Sequence, residues 1–164
     1  MKKFIVISIV LLMLAGFAIT SSAEELVVGR KHIPVGELTV VVVGGSLEVT
    51  YTMDPVDPGE EGWELLETHL YVGVEPPEKS APGQFPYGPE DAIDGVYTIL
   101  LTDFSGATTL YIAAQAEIGM IDEFGEPVLD EYDEQIEETT WALGDKCIPP
   151  CKNWAMYFEF VVPE

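Results

Sequence analysis

The segment ELTVVVVGGSLEVTYT, residues 37–52, limits what this chain can become more than any other. Two runs rich in β-branched residues are separated by Gly44-Gly45 alone. A link of two glycines suits the primed turns, whose central residues need positive φ and whose twist matches that of the flanking strands. The pattern predicts a tight hairpin pairing 37–43 with 46–52, with Leu47, Val49 and Tyr51 alternating onto one face. A lone hairpin is not stable in water, so the rest of the chain must supply strands that cover it.

Further strands follow. DPVDPGEEG, residues 54–62, is turn chemistry. Residues 63–74 read as a strand with Leu66, Thr68, Leu70, Val72 and Val74 on the core face and Trp63, Leu65, Glu67, His69 and Tyr71 on the other. Residues 75–94 form a long Pro/Gly-rich loop carrying Phe85 and Tyr87, and loops of that length in small domains are often functional. Residues 95–101 and 108–118 give two more strands. In the second, Leu110, Ile112, Ala114 and Ala116 oppose Tyr111, Ala113, Gln115 and Glu117, and the small alanines suit the close approach of an aromatic from a facing layer. The acidic stretch 122–138 reads as an exposed loop with a short helical turn. Residues 153–162 close the chain with Trp154, Met156, Phe158, Phe160 and Val162 on one face. With no long helical pattern, the expected fold is all-β: an antiparallel β-sandwich of immunoglobulin-like or jelly-roll-like type with about seven to eight strands.

The first residues, MKKFIVISIVLLMLAGFAITSSAEE, set the expected compartment. A basic start at Lys2 and Lys3, an apolar run from Phe4 to Ile19 and small residues at Ser21 and Ala23 have the layout of a secretory signal peptide cleaved after Ala23. The competing reading, a retained membrane anchor, fits less well, because the run is short and gives way at once to small residues and acids. Phe17 stands where a lipoprotein signal requires Cys. The expected organisation is therefore signal peptide 1–23 and a single domain 24–164, secreted or otherwise extracytoplasmic, with no membrane span in the mature chain. Losing Lys2 and Lys3 leaves five basic residues against 29 acidic ones, a formal charge of −24 in place of −22. Such a surface repels nucleic acid and anionic membranes.

In an exported protein Cys147 and Cys151, in CIPPC, are expected to form a disulfide. So short a loop is worth about 2 kcal/mol by chain entropy, enough to staple a turn but not to hold a domain. The spacing does not suit a redox pair with two intervening residues, and a structural zinc site would need further ligands.

ETHLYVG (67–73), PGQFPYG (82–88), YIAAQAE (111–117), TTWALG (139–144) and NWAMYFEF (153–160), in that order, resemble a recurring β-rich module of exported bacterial and archaeal proteins. The resemblance runs from about Val35 to Phe160 and implies a β fold and an exported setting, with no activity attached. Gln115 stands where the resemblance leads one to expect His, so a metal pair of His69 with a second His does not form in that way here. The CIPPC segment is a further departure.

Several sets of residues are candidate sites. Glu67, His69 and Tyr71, with Gln115 and Glu117 on a neighbouring strand, could bind a polar ligand or a metal. The plainer alternative is a sheet's outer face on which His69 hydrogen-bonds a neighbour. Asp122, Glu123, Asp130, Asp133 and Glu134 are hard oxygen donors suited to Ca2+, although no EF-hand pattern is present and a solvated charge run looks the same. Among Trp63, Trp141, Trp154, Phe85 and Tyr87, the loop pair Phe85 and Tyr87 is the better sugar-contacting candidate, and Trp154 reads as core. Ser46, Ser80 and Ser105 lie in no nucleophile elbow, and no metalloprotease or phosphate-loop signature occurs. The expected function is a binding or structural module at or outside the cell surface. No cofactor is expected apart from the Ca2+ option, and the partner is unknown, with a cell-surface protein or a polysaccharide as the options. The alternative is a calcium-dependent or carbohydrate-binding module using the 75–94 and 122–138 loops.

Overall fold

The computed structural model describes residues 20–163; the apolar run of the expected signal peptide lies outside the described residues. The described residues form nine strands: β1 Ser21–Val28, β2 Ile33–Val43, β3 Ser46–Met53, β4 Gly62–Gly73, β5 Val96–Leu100, β6 Thr109–Ile121, β7 Glu137–Ala142, β8 Lys146–Cys147 and β9 Met156–Val161. All pair antiparallel, as expected. The β2–β3 hairpin closes where predicted, with Val43 opposite Ser46 and Gly44 and Gly45 at φ 58° and 85°. These angles are the primed-turn geometry that glycine reaches without strain.

One face-to-face arrangement results from a single continuous sheet. β5-β3-β2-β1 form one half. β6 forms the centre of the other, with β4 along one edge and β7 and β9 sharing the opposite edge. The halves join where Leu26–Val28 pairs with Thr140–Ala142. Leu38, Val40, Leu47, Val49 and Ile99 from the first half share one core with Leu70, Val72, Leu110, Ile112, Ala114, Ile118, Phe158 and Phe160 from the second. Across that core Tyr51 Oη donates to the His69 carbonyl (3.0 Å). Tyr97 Oη lies 2.7 Å from Thr68 Oγ1, 2.9 Å from Thr68 O and 3.1 Å from Gly88 O. The aromatics reaching in from the facing half are thus Tyr51 and Tyr97, opposite a strand whose core positions include Ala114 and Ala116.

The strand count exceeds the expected seven to eight because β1, β7 and the two-residue β8 were not legible as strands. Ser21–Ala23, the expected cleavage site, pairs with Val41–Thr39. The simple alternation read along 63–74 also needs correction. The β4–β6 register shifts between Leu65 and Glu67, a bulge at Leu66. Trp63 and Leu65 therefore pack against the main core, whereas Leu66 is 43% exposed. After the bulge, Thr68, Leu70 and Val72 point inward as expected, and Val74 lies exposed beyond the strand end. Trp154, expected in the main core, packs instead on a second, smaller cluster.

The acidic stretch contains a feature that its composition conceals. DEFGE (122–126) and DEYDE (130–134) form matching turns eight residues apart. Asp122 Oδ1 accepts from the backbone N–H of Phe124 and Glu126, and Asp130 Oδ1 from Tyr132 and Glu134. Met120, Val128 and Ile136, at the same spacing, close a ring of three backbone hydrogen bonds.

Candidate functional site

The second half of the sheet has an outer face, and the smaller cluster sits on it. Period-2 alternation on β4 and β6 places Glu67, His69 and Tyr71 beside Glu117, Gln115 and Ala113, pair by pair. On β7, Trp141 stands opposite Gln115 and Thr139 opposite Glu117. Side chains opposite one another in such pairs are close enough to interact. The face thus carries one polar end, Glu67, Glu117 and Thr139, and one aromatic end, Tyr71 and Trp141, with His69 and Gln115 between.

Two loops close over the aromatic end. The 75–94 loop returns to the free edge of β4, where Leu70 and Tyr87 exchange backbone hydrogen bonds of 2.9 and 3.2 Å. This places Phe85 edge-on to Tyr71, with ring centroids 5.8 Å apart, and edge-on to Trp141 at 6.1 Å. Because β6 runs between β4 and β7, Phe85 lies across it. The second loop is CIPPC. Its disulfide, Cys147–Cys151 with Cα atoms 5.4 Å apart, closes a turn in which Ile148 is fully buried beside Ala113, Trp141 and Ala155. Asn153 Nδ2 donates to Ser80 Oγ (3.0 Å) and links the two loops.

Between the first loop and β4 runs an open cleft of about 330 Å³. Tyr71, Phe85, Pro76 and Pro77 wall it, and Glu75, Glu78, Lys79 and Gln84 supply its polar groups. Tyr71 Oη donates to Glu75 O (2.8 Å). Burial first, and then the charges of Glu75 and Glu78, push the Tyr71 phenol above its ordinary pKa, so it remains a hydrogen-bond donor.

At the polar end, His69 Nε2 donates to Glu67 Oε1 (2.7 Å). Gln115 Nε2 donates to Glu117 Oε1 (2.6 Å), and Thr139 Oγ1 reaches both Glu117 oxygens at 3.0 and 3.2 Å. Gln115 is 1% exposed, and its Oε1 has no hydrogen-bond partner.

Six of the seven ligand-site candidates therefore gather on or over one face: Glu67, His69, Tyr71, Phe85, Gln115 and Glu117. The seventh, Tyr87, turns its ring to the main core and serves the loop through its backbone. Sequence reasoning missed Thr139 and the part Ile148 plays. The alternation of Thr139 and Trp141 in TTWALG was the available signal, and the preceding acids obscured it. The five Ca2+ candidates have local roles in two turns. Asp122 and Asp130 each cap a turn, Glu123 accepts from Gly59 N–H (2.8 Å), Asp133 occupies a turn position at φ 62°, and Glu134 donates its backbone N–H to Asp130. Among the described residues, no group of three or more His, Cys, Asp or Glu side chains is arranged to hold a metal ion. No protein-family model, curated protein or solved structure matches the chain.

Proposed function

We propose that this protein is an exported, non-catalytic binding module that works at or outside the cell surface through the outer face of β4, β6 and β7. One observation carries the reading: residues 67–71, 85 and 115–117, distant in sequence, meet on one face with a cleft beside it. The leader sequence, the disulfide and the resemblance to exported β-rich modules support the setting. No helix among the described residues is long and apolar enough to cross a membrane. The acidic surface favours partners that are neutral or basic. The module fused to a fluorescent protein should stay on the insoluble cell envelope, and Phe85→Ala or Glu67→Gln should release it. Retention unchanged in both variants removes this face from the function.

Carbohydrate is the second reading, favoured by the cleft itself. Tyr71 and Phe85 offer apolar ring surface, and Gln84, Glu75 and Glu78 offer acceptors for sugar hydroxyls. Retention on a purified insoluble polysaccharide, lost with Phe85→Ala and kept with Tyr132→Ala at a remote turn, is the expected result. Equal retention of both variants excludes it.

A further inference from the structure

The polar end of the face offers an incoming group almost nothing but acceptors. Most of its donors are spent: His69 Nε2 on Glu67, and one N–H of the Gln115 amide and the Thr139 hydroxyl on Glu117. What remains without a hydrogen-bond partner is Glu67 Oε2, on a side chain half exposed, and Gln115 Oε1, which is buried. The Gln115 amide cannot be reversed to cure this, because reversal would set its oxygen against the Glu117 carboxylate. A buried amide oxygen without a donor loses its hydration with nothing in return, so this atom calls for one. Glu67 and Glu117 also stand directly opposite on neighbouring strands, an arrangement of like charges that a cation would relieve.

We infer that this constellation is a site for an alkylammonium group, its charge held between Glu67, Glu117 and Gln115 Oε1. A compact metal ion is not favoured, because the donors do not converge as three ligands on one point. An ammonium has three donors to distribute, which suits separated acceptors. Its alkyl stem would lie toward Tyr71, Phe85 and Trp141, an apolar aromatic wall at the other end of the same face. Entrance is from the Glu67 side, where the carboxylate is open to solvent. The inference rests on the proposed use of this face and assigns its polar end a ligand class. A free diamine and a partner's lysine side chain share the chemistry.

Calorimetric titration of the full chain in about 0.15 M NaCl tests it, with salt near that level limiting unspecific attraction to the acidic surface. The probes are cadaverine, Nα-acetyl-lysine N-methylamide and, as neutral isostere, 1-pentanol. One of the two amines should saturate a single site and pentanol should not bind. Tighter binding of cadaverine identifies a free diamine as the natural source, and tighter binding of the lysine derivative a protein partner. Glu67→Gln should weaken the amine about tenfold, the scale of one charge-assisted hydrogen bond. Gln115→Leu should do the same if it folds. Glu131→Gln, on the remote acidic turn, should leave binding unchanged. Binding that does not saturate, or that falls equally in Glu67→Gln and Glu131→Gln, overturns the inference. Envelope retention lost with Phe85→Ala would still stand in that case, so the two readings fail separately.

Discussion

At the scale of single residues, two buried tyrosines tie the halves of the molecule together, and they are not equivalent. Tyr51 Oη makes one bond, to the His69 carbonyl. Tyr97 Oη meets the Thr68 hydroxyl and two carbonyls in a site where Thr68 is itself buried. Tyr97→Phe should therefore cost about 1–3 kcal/mol, because it strands buried polar atoms, and Tyr51→Phe about 1 kcal/mol. Urea unfolding of both variants checks the order, and equal losses would mean that the Thr68 network adds nothing. Glu24 makes a different kind of prediction. It shares a depression with Asp145 and Glu159, and burial first, then the Asp145 charge, raises its pKa above the ordinary value of 4.5. A carboxyl with a raised folded-state pKa binds its proton more tightly folded than unfolded. Its ionisation thus lowers stability as pH rises from about 4.5 through the folded value, and the penalty persists above it. Glu24→Gln should raise the unfolding midpoint at pH 7, with the gain disappearing by about pH 3.5, where both states of the parent carry the proton. A gain of the same size at both pH values would assign the effect to packing.

At the scale of elements, β4 decides which side of the sheet can bind anything. Without the bulge at Leu66, either Trp63 and Leu65 or Leu70 and Val72 would face away from the main core. The extra residue lets both pairs face inward and leaves Glu67, His69 and Tyr71 outward beside β6. Leu66→Ser should be nearly neutral, whereas Leu70→Ala should cost about 2–5 kcal/mol, as expected for a fully buried side chain. Plain alternation ranks the two alike, so thermal unfolding of the pair tests the bulge directly. This strand also marks the limit of the sequence reading. Alternation is faithful in β3, β6 and β9, whose faces differ sharply in polarity. It cannot reveal a bulge, since one added residue changes parity without changing composition. β1 was hidden because Ser21–Ala23 reads equally well as a cleavage site, and β7 because its first residues continue an acidic run. For the site, period 2 correctly placed Glu67, His69 and Tyr71 on one face and Gln115 and Glu117 on another strand's face. Only the β4–β6 register brings them together. Phe85 and Tyr87 differ by two positions in a loop without periodicity, so nothing in the sequence separated the ring that covers the face from the ring that enters the core.

At the scale of the whole molecule, charge is the dominant unbalanced force. The chain carries 29 acidic and seven basic residues, and no Lys or Arg lies between Lys79 and Lys146. Among the described residues one Lys or Arg side chain forms an ion pair, Lys146 with Glu159, so most carboxylates have only water and dissolved ions against them. Compacting such a chain brings like charges together, and the folded state bears the larger share of the repulsion. Salt should then stabilise the fold generally. Between about 0.05 and 1 M NaCl the screening length falls from roughly 14 Å, above the spacing of neighbouring surface groups, to about 3 Å, below it. The unfolding midpoint should rise over that range and level off near its upper end. Matched ionic strength separates screening from site binding. CaCl2 and MgCl2 adjusted to the ionic strength of a NaCl series should give similar midpoints if the acids act as a diffuse field, as the local roles of Asp122, Glu123, Asp130, Asp133 and Glu134 lead one to expect. A saturable rise with Ca2+ at millimolar concentration, absent with Mg2+ and abolished by Asp130→Asn, would instead show that the 122–138 turns gather around an ion.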